Sequence, residues 1–377
     1  MANIEIKEVV GKKMLKEFIE FGNELYEGND NYVYPLTFDE MNTFNPQKNP
    51  AYDYCKTILF LAYKEGKIVG RICGLINDAY NKKMNIKHLR FNHYDVIDDI
   101  EVSKALFNAI AKWGKSYGME DFDGPITFTD LDKQGMLMEG YEYPGMFITN
   151  YNYPYYVKHM EELGFLKDVD WVEYRVNLPT KIDDRIEKVA SMLTERYGFK
   201  LLKFKKFKDF EPYLYKAFDV YNEAFAPLHG VVEVTKKQID ALVDTFLKLI
   251  NFDYVCVVLN NKDEVIGLSI LAPSMNKAVN KAKGKLFPFG WYYILKNIKH
   301  FDVLDMYFVA IKPEYQSYGI NSLMMLDATK TAIKDGVKYA ETGPELEDNL
   351  KIQSQWKNYD AKIIRKRRCW IRKIEEL

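Results

Sequence analysis

Metal-ligand and disulfide patterns are missing from this sequence. Its four cysteines, Cys55, Cys73, Cys256 and Cys369, include no C-x-x-C pair, and its five histidines are dispersed. Such spacing argues for reduced thiols and against a structural zinc site, so no metal is expected. The start, Met-Ala-Asn-Ile-Glu-Ile-Lys, lacks the apolar core of a signal peptide, and no apolar run is long enough to span a bilayer. A soluble, cytoplasmic protein is the expectation. Charge of one sign is not in excess either. A formal net charge of −1 gives no reason to expect nucleic acid as a partner. H-E-x-x-H, Ser/His/Asp, Walker and G-x-G-x-x-G patterns are all missing.

What the chain does have is apolar and aromatic bulk. Hydrophobic residues make up 47% of its 377 positions, and 28 Tyr and 23 Phe are enough for more than one core and for aromatic-lined grooves. The most informative stretch runs from Val303 to Asp335. Val303 to Ile311 reads as a strand, Pro313 ends it, and Leu323, Met324, Leu326, Ala328 and Ile333 form an apolar stripe at helical spacing, closed by Gly336. A strand that feeds a tight loop and then a helix aims free N–H groups and a helix dipole at one point, which favours an anion. Gly319 in that loop lets the backbone approach a ligand closely.

Several features recur in order. The hairpin Thr57–Tyr63 and Lys67–Ile76, with Gly70, returns as Tyr254–Leu259 and Val265–Leu271, with Gly267. The strand near Ile97, the helix Val102–Tyr117 and Gly118 return as the 303–335 stretch with Gly336. Asp123-Gly124-Pro125 returns as Thr342-Gly343-Pro344. Four coincidences in order predict a tandem duplication divided near Leu178-Pro179-Thr180, into domains at 1–178 and 179–377. The copies are not equal. Asp98, Asp99 and Glu101 replace the glycine-bearing loop in the first copy, where they suit a helix N-terminus and would repel a phosphate.

Gln316-Ser317-Tyr318-Gly319-Ile320-Asn321, preceded by Val309-Ala310-Ile311-Lys312-Pro313-Glu314-Tyr315, resembles the acyl-CoA loop of the GNAT acetyltransferase superfamily. That loop reads Arg/Gln-x-x-Gly-x-Gly/Ala, and Asn321 departs from its last position. The resemblance implies an α/β (α+β) architecture of two tandem GNAT-like domains, each a central mixed sheet flanked by helices. It also implies acetyl-CoA or another acyl-CoA as co-substrate, bound only in the second copy. Backbone groups of Val309, Ala310 and Ile311 would hold the pantetheine, and residues 316–321 with Ser322 the pyrophosphate.

Acyl transfer to an amine needs a base, a donor to the carbonyl oxygen and a proton for the leaving thiolate. In the family pattern the base comes from the loop-bearing strand or the next one, which makes Tyr307, Asp305 and Glu341 the candidates. Asn349 fits the family Asn, but Trp356 stands where a Tyr would protonate the thiolate, and Tyr359, three residues on, is the substitute. The implied reaction is N-acyl transfer, with acetyl the first expectation, to a primary amine on a small molecule or peptide. The alternative is a CoA-binding sensor or scaffold with weak or no turnover.

Three further segments complete the reading. Tyr151 to Phe165 looks like the aromatic arm of a GNAT domain. Ser274 to Phe301 reads as a solvated basic arm followed by a short helix packed on the second domain, and Ala361 to Ile374 as a closing strand pair with a charged outer face.

Overall fold

Runs of β-branched and aromatic residues form strands in the computed structural model, which describes residues 3–377. The first half runs β1 (Ile4–Glu8), α1 (Gly11–Leu25), α2 (Thr37–Thr43), β2 (Cys55–Lys64), β3 (Lys67–Asn77), α3 (Asp78–Met84), β4 (His88–Val96), α4 (Ile100–Ser116), β5 (Asp121–Gly124), β6 (Met136–Glu139), α5 (Tyr155–Glu162) and β7 (Leu166–Asn177). A similar order follows. It runs α6 (Asp184–Tyr197), β8 (Lys200–Lys203), α7 (Phe207–Phe210), α8 (Leu214–Phe225), α9 (Lys236–Thr245), β9 (Val255–Leu259), β10 (Val265–Pro273), α10 (Asn276–Ala282), α11 (Gly290–Lys299), β11 (Val303–Ile311), α12 (Ile320–Lys334), β12 (Tyr339–Thr342), β13 (Glu345–Leu346), α13 (Leu350–Ser354) and β14 (Ala361–Lys373). Among the described residues, no helix is long and apolar enough to cross a membrane.

All the strands join one mixed sheet, in the order β1-β2-β3-β4-β5-β14-β7-β12-β11-β10-β9-β8, with β6 pairing β14 and β13 pairing β7. β14 therefore lies among strands of the first half, antiparallel to β5, β6 and β7. Its segment is one long strand and not the strand pair expected from sequence, because its partners on both sides come from residues before 178. The charged outer face expected there is also corrected. Arg365 and Arg367 are fully buried, since Glu173 on β7 meets both guanidinium groups.

The repeated features take equivalent places. β4 and β11 each run parallel to the strand that follows them, β5 and β12. A β-carbon on Gly70 would meet Leu106 on α4 at 2.9 Å, and one on Gly267 would meet Ile320 on α12 at 3.2 Å. Each glycine thus lets a helix pack directly on its hairpin. Asp99 caps α4, its carboxylate accepting from the Glu101 N–H at 3.1 Å, as its position at the helix start predicts.

Both loop-facing strands also carry a bulge. Ile270 faces Phe308 while Leu271 faces Met306, which leaves Tyr307 as the extra residue of β11. In β4, Arg71 faces Asp95 while Cys73 faces Asn92, so His93 and Tyr94 oppose Ile72 alone. His93 sits there at φ 44°, a conformation that costs strain for any residue with a β-carbon.

Candidate active site

Pro313–Tyr315 form a single turn after β11, and Gly319, at φ 77°, starts α12 with no side-chain cap. The Gln316 and Tyr318 N–H groups already donate to the Pro313 and Tyr315 carbonyls at 3.4 and 3.2 Å, so those of Ser317 and of Gly319 to Ser322 are left uncapped at this helix N-terminus, a setting that receives an anion. The Asn321 side chain does not crowd this turn, because its amide donates to Gln355. Gln316 accepts from Lys351 at 3.3 Å, and Asn349 caps α13 through the Ile352 N–H at 3.3 Å.

Register places β11 and β12 in contact only from Val303–Tyr339 to Met306–Thr342. Gly343 N–H then donates to the Met306 carbonyl at 3.0 Å, and beyond it the strands part. Tyr307 to Ile311, the segment holding Val309 and Ala310, has no strand partner on that side among the described residues.

Side chains alternate across this opening. Leu304, Met306 and Ala340 line a cavity of about 700 Å³ on one face, together with Asn321, Ser322 and Tyr359. Asp305 and Glu341 point to the other face, where the Tyr307 ring lies 5.4 Å from Phe246. The structure thus groups Glu341 with Tyr307 and sets Tyr359 across the sheet from both.

The three candidate bases differ sharply. Glu341 accepts from Arg175 at 2.6 Å and from Arg365 at 2.5 Å, so its charge is already matched twice. The Tyr307 hydroxyl is buried without a partner, and burial, with Asp305 nearby, holds its pKa well above the usual phenol range. Asp305 is only 1% exposed, and neither carboxylate oxygen makes a hydrogen bond of ordinary geometry. Burial and the Glu341 charge beside it push its pKa up to about 8, against a smaller pull from Ser274. A buried carboxyl with no partner is costly, and such groups mark sites where a ligand or proton is handled.

The cavity is mostly apolar. Its outer wall is α6, a helix with no buried residue, whose Ile186, Val189, Ala190 and Leu193 face the stripe Leu323, Met325, Leu326 and Ala328 of α12. The sequence marks α6 as amphipathic but does not say that a cavity lies beneath it. Burial also raises the pKa of the Tyr359 phenol at the rim, which keeps it protonated and able to donate. Trp356 is buried and donates to Glu345 at 3.0 Å.

Two polar clusters, one in the first half and one drawn from both halves, went unread in the sequence, because their members are far apart along it. His93, on the β4 bulge, pairs with Glu40 at 2.7 Å beside a small cavity of about 60 Å³ that Arg71, Asp95 and Lys133 also line. Asp123, Asp168, His229 and Cys369 bring four donor atoms within 4.8 Å of one another, a set that one metal ion could reach.

No family model matches the chain. A tandem GNAT protein from the clavulanic acid biosynthesis pathway superposes with a TM-score of 0.59 at 9% identity, over 99% of both chains. This chain has the tandem GNAT fold. Two curated proteins are similar to this chain in sequence. Protein YghO of Escherichia coli (strain K12) is 27% identical over 85% of this chain and 82% of its own length. A bacterial ceramide synthase of Caulobacter vibrioides (strain NA1000 / CB15N) is 26% identical over 79% and 77%.

Proposed function

We propose that this protein is an acyl-CoA-dependent N-acyltransferase whose acyl-CoA lies in the half running from residue 179 to 377. Its acceptor is a primary amine carried on a lipid-like molecule. One observation carries this reading, the apolar cavity of about 700 Å³ that starts at Asn321 and Ser322 and extends beneath α6. A hydrocarbon chain fits such a lining, whereas an acetyl group, the first expectation from sequence, would leave most of it unfilled. The similarity to a ceramide synthase supports the same choice, since a ceramide is the amide of a fatty acid with a long-chain amino alcohol.

In this reading, the N–H groups of Ser317 and of Gly319 to Ser322 hold the pyrophosphate, and the open edge of Val309 to Ile311 pairs with the pantetheine. The neutral amine arrives from the opposite face and its nitrogen bonds to the thioester carbon, ionised Asp305 taking the proton that this nitrogen then sheds. The carbon–sulfur bond breaks, and Tyr359 protonates the departing thiolate from the cavity side. Base and acid on opposite faces of the sheet match the direction of this transfer. Asp305 is preferred as base over Glu341 because it has no competing partner, and over Tyr307 because its pKa lies near 8 while that of the phenol is held well above the usual range.

The test is release of free CoA thiol from acetyl-, octanoyl- and palmitoyl-CoA, with either a long-chain amino alcohol or a short polyamine as acceptor. Fastest release with palmitoyl-CoA and the amino alcohol is expected. A preference for acetyl-CoA and the polyamine would overturn the lipid assignment. CoA binding by calorimetry without release from any pair would instead favour the sensor reading.

A further inference from the structure

The segment between β10 and β11 does not pack as its sequence predicts. Gly290 is the one buried residue of α11, and the aromatic side chains around it face outward. Phe287 is 80% exposed and Phe289 65%, while Trp291, Tyr292 and Leu295 are each about half exposed. Phe and Trp normally bury, so five large apolar residues open on one short segment need a partner. The segment is also held firmly to the body. Asn280 on α10 accepts from the Tyr34 N–H at 3.1 Å and donates to the Tyr32 carbonyl at 2.8 Å, and the Thr37 N–H donates to the Gly284 carbonyl at 3.0 Å.

Charge identifies the partner. Lys277, Lys281, Lys283, Lys285, Lys296 and Lys299 lie between Ser274 and Phe301, with no Asp or Glu among them. Lys277 pairs with Asp302, Lys283 pairs with Glu27, and Lys281 sits over the Tyr293 ring. Lys285, Lys296 and Lys299 form no ion pair among the described residues. A second copy of this chain docking by two-fold symmetry would bring the same lysines face to face. A bilayer with anionic headgroups instead offers carbon to the aromatic side chains and negative charge to the lysines around them.

We propose that Phe287, Phe289, Trp291, Tyr292 and Leu295 insert into the surface of an anionic lipid bilayer, with Lys285, Lys296 and Lys299 meeting its headgroups. Docking of this kind places the bilayer next to the Tyr32–Tyr34 loop, which walls the polar cavity of the first half. It stands apart from the acyl-transfer reading, because it is measured without turnover.

The test is co-sedimentation of the full chain with phosphatidylcholine vesicles and with vesicles that also contain phosphatidylglycerol. Binding to the mixed vesicles, weakened by salt, is expected. The double variant Phe287→Ser, Phe289→Ser should bind at least about tenfold more weakly while keeping its circular dichroism spectrum. Lys285→Glu, Lys296→Glu and Lys299→Glu together should remove the preference for anionic lipid. Three results would overturn the proposal. They are no binding to mixed vesicles, equal binding by wild type and the Phe variant, and a wild-type dimer by light scattering that the Phe variant dissolves.

Discussion

The Cδ1 methyl of Leu193 lies 2.7 Å from the point where a β-carbon on Gly319 would stand. The wall helix α6 therefore rests directly on the turn that opens α12, and any side chain at 319 meets both a left-handed backbone and Leu193. Gly319→Val should cost about 1 kcal/mol in backbone strain and weaken CoA binding at least about tenfold, or roughly 1.4 kcal/mol. Adding Leu193→Ala should recover part of the stability but none of the affinity. Calorimetry with CoA and thermal unfolding separate the two effects, and Ile100→Val on α4 is the control that should leave affinity unchanged.

The raised pKa of Asp305 has two consequences of opposite sign. As a base it works when ionised, so the rate should rise with pH through about 8. Folding responds the other way. The unfolded chain releases this proton near pH 4 and the folded chain only near 8, so this residue's contribution to stability falls as pH rises between them. Asp305→Asn should lower the rate by about a hundredfold or more and flatten its rise near pH 8. The same variant should lose stability less steeply than wild type over that interval, as read from urea unfolding at several pH values.

Glu173 binds two buried guanidinium groups, Arg365 and Arg367. Glu173→Gln would leave Arg365 with Glu341 as its remaining carboxylate and Arg367, buried in the sheet interior, with none among the described residues. A loss of about 3 kcal/mol or more is expected in urea unfolding. Lys373→Gln, on the same strand with its side chain half exposed, should cost less than about 1 kcal/mol.

Ala190 faces the apolar cavity from the exposed helix α6, so a larger side chain can enter without disturbing the sheet. Ala190→Phe should shift acyl-CoA use toward shorter chains, by about tenfold in the ratio of octanoyl to palmitoyl rates. An unchanged ratio in a folded variant would mean that the chain runs elsewhere.

Local signals carried the fold well and the site unevenly. Val303–Ile311 is a strand over its full expected span, and the Gly70 and Gly267 hairpins match because repeated patterns keep their local chemistry. The partners of β14 were not legible, since pairing across some 190 residues leaves no periodic trace in either strand. Asp305, Tyr307 and Glu341 were named together, but burial and ion pairing alone separate a free carboxyl from one clamped by two arginines. Phe287 and Trp291 were expected to pack on the second domain, because composition records that a residue is apolar and not whether anything covers it.

The position of β14 also bears on how the protein is made. A ribosome delivers β5 and β7 long before it delivers Ala361–Lys373, the strand that lies between them. Until then both edges stand open, one ending in the acidic Asp121–Gly124 run and the other exposing Glu173 without its arginines. A nascent chain in this state has no closed sheet to commit to, so β14 acts as a latch that joins β5 to β7. A chain cut short before Ala361 should therefore be cleared as unfolded rather than survive as a free-standing first half.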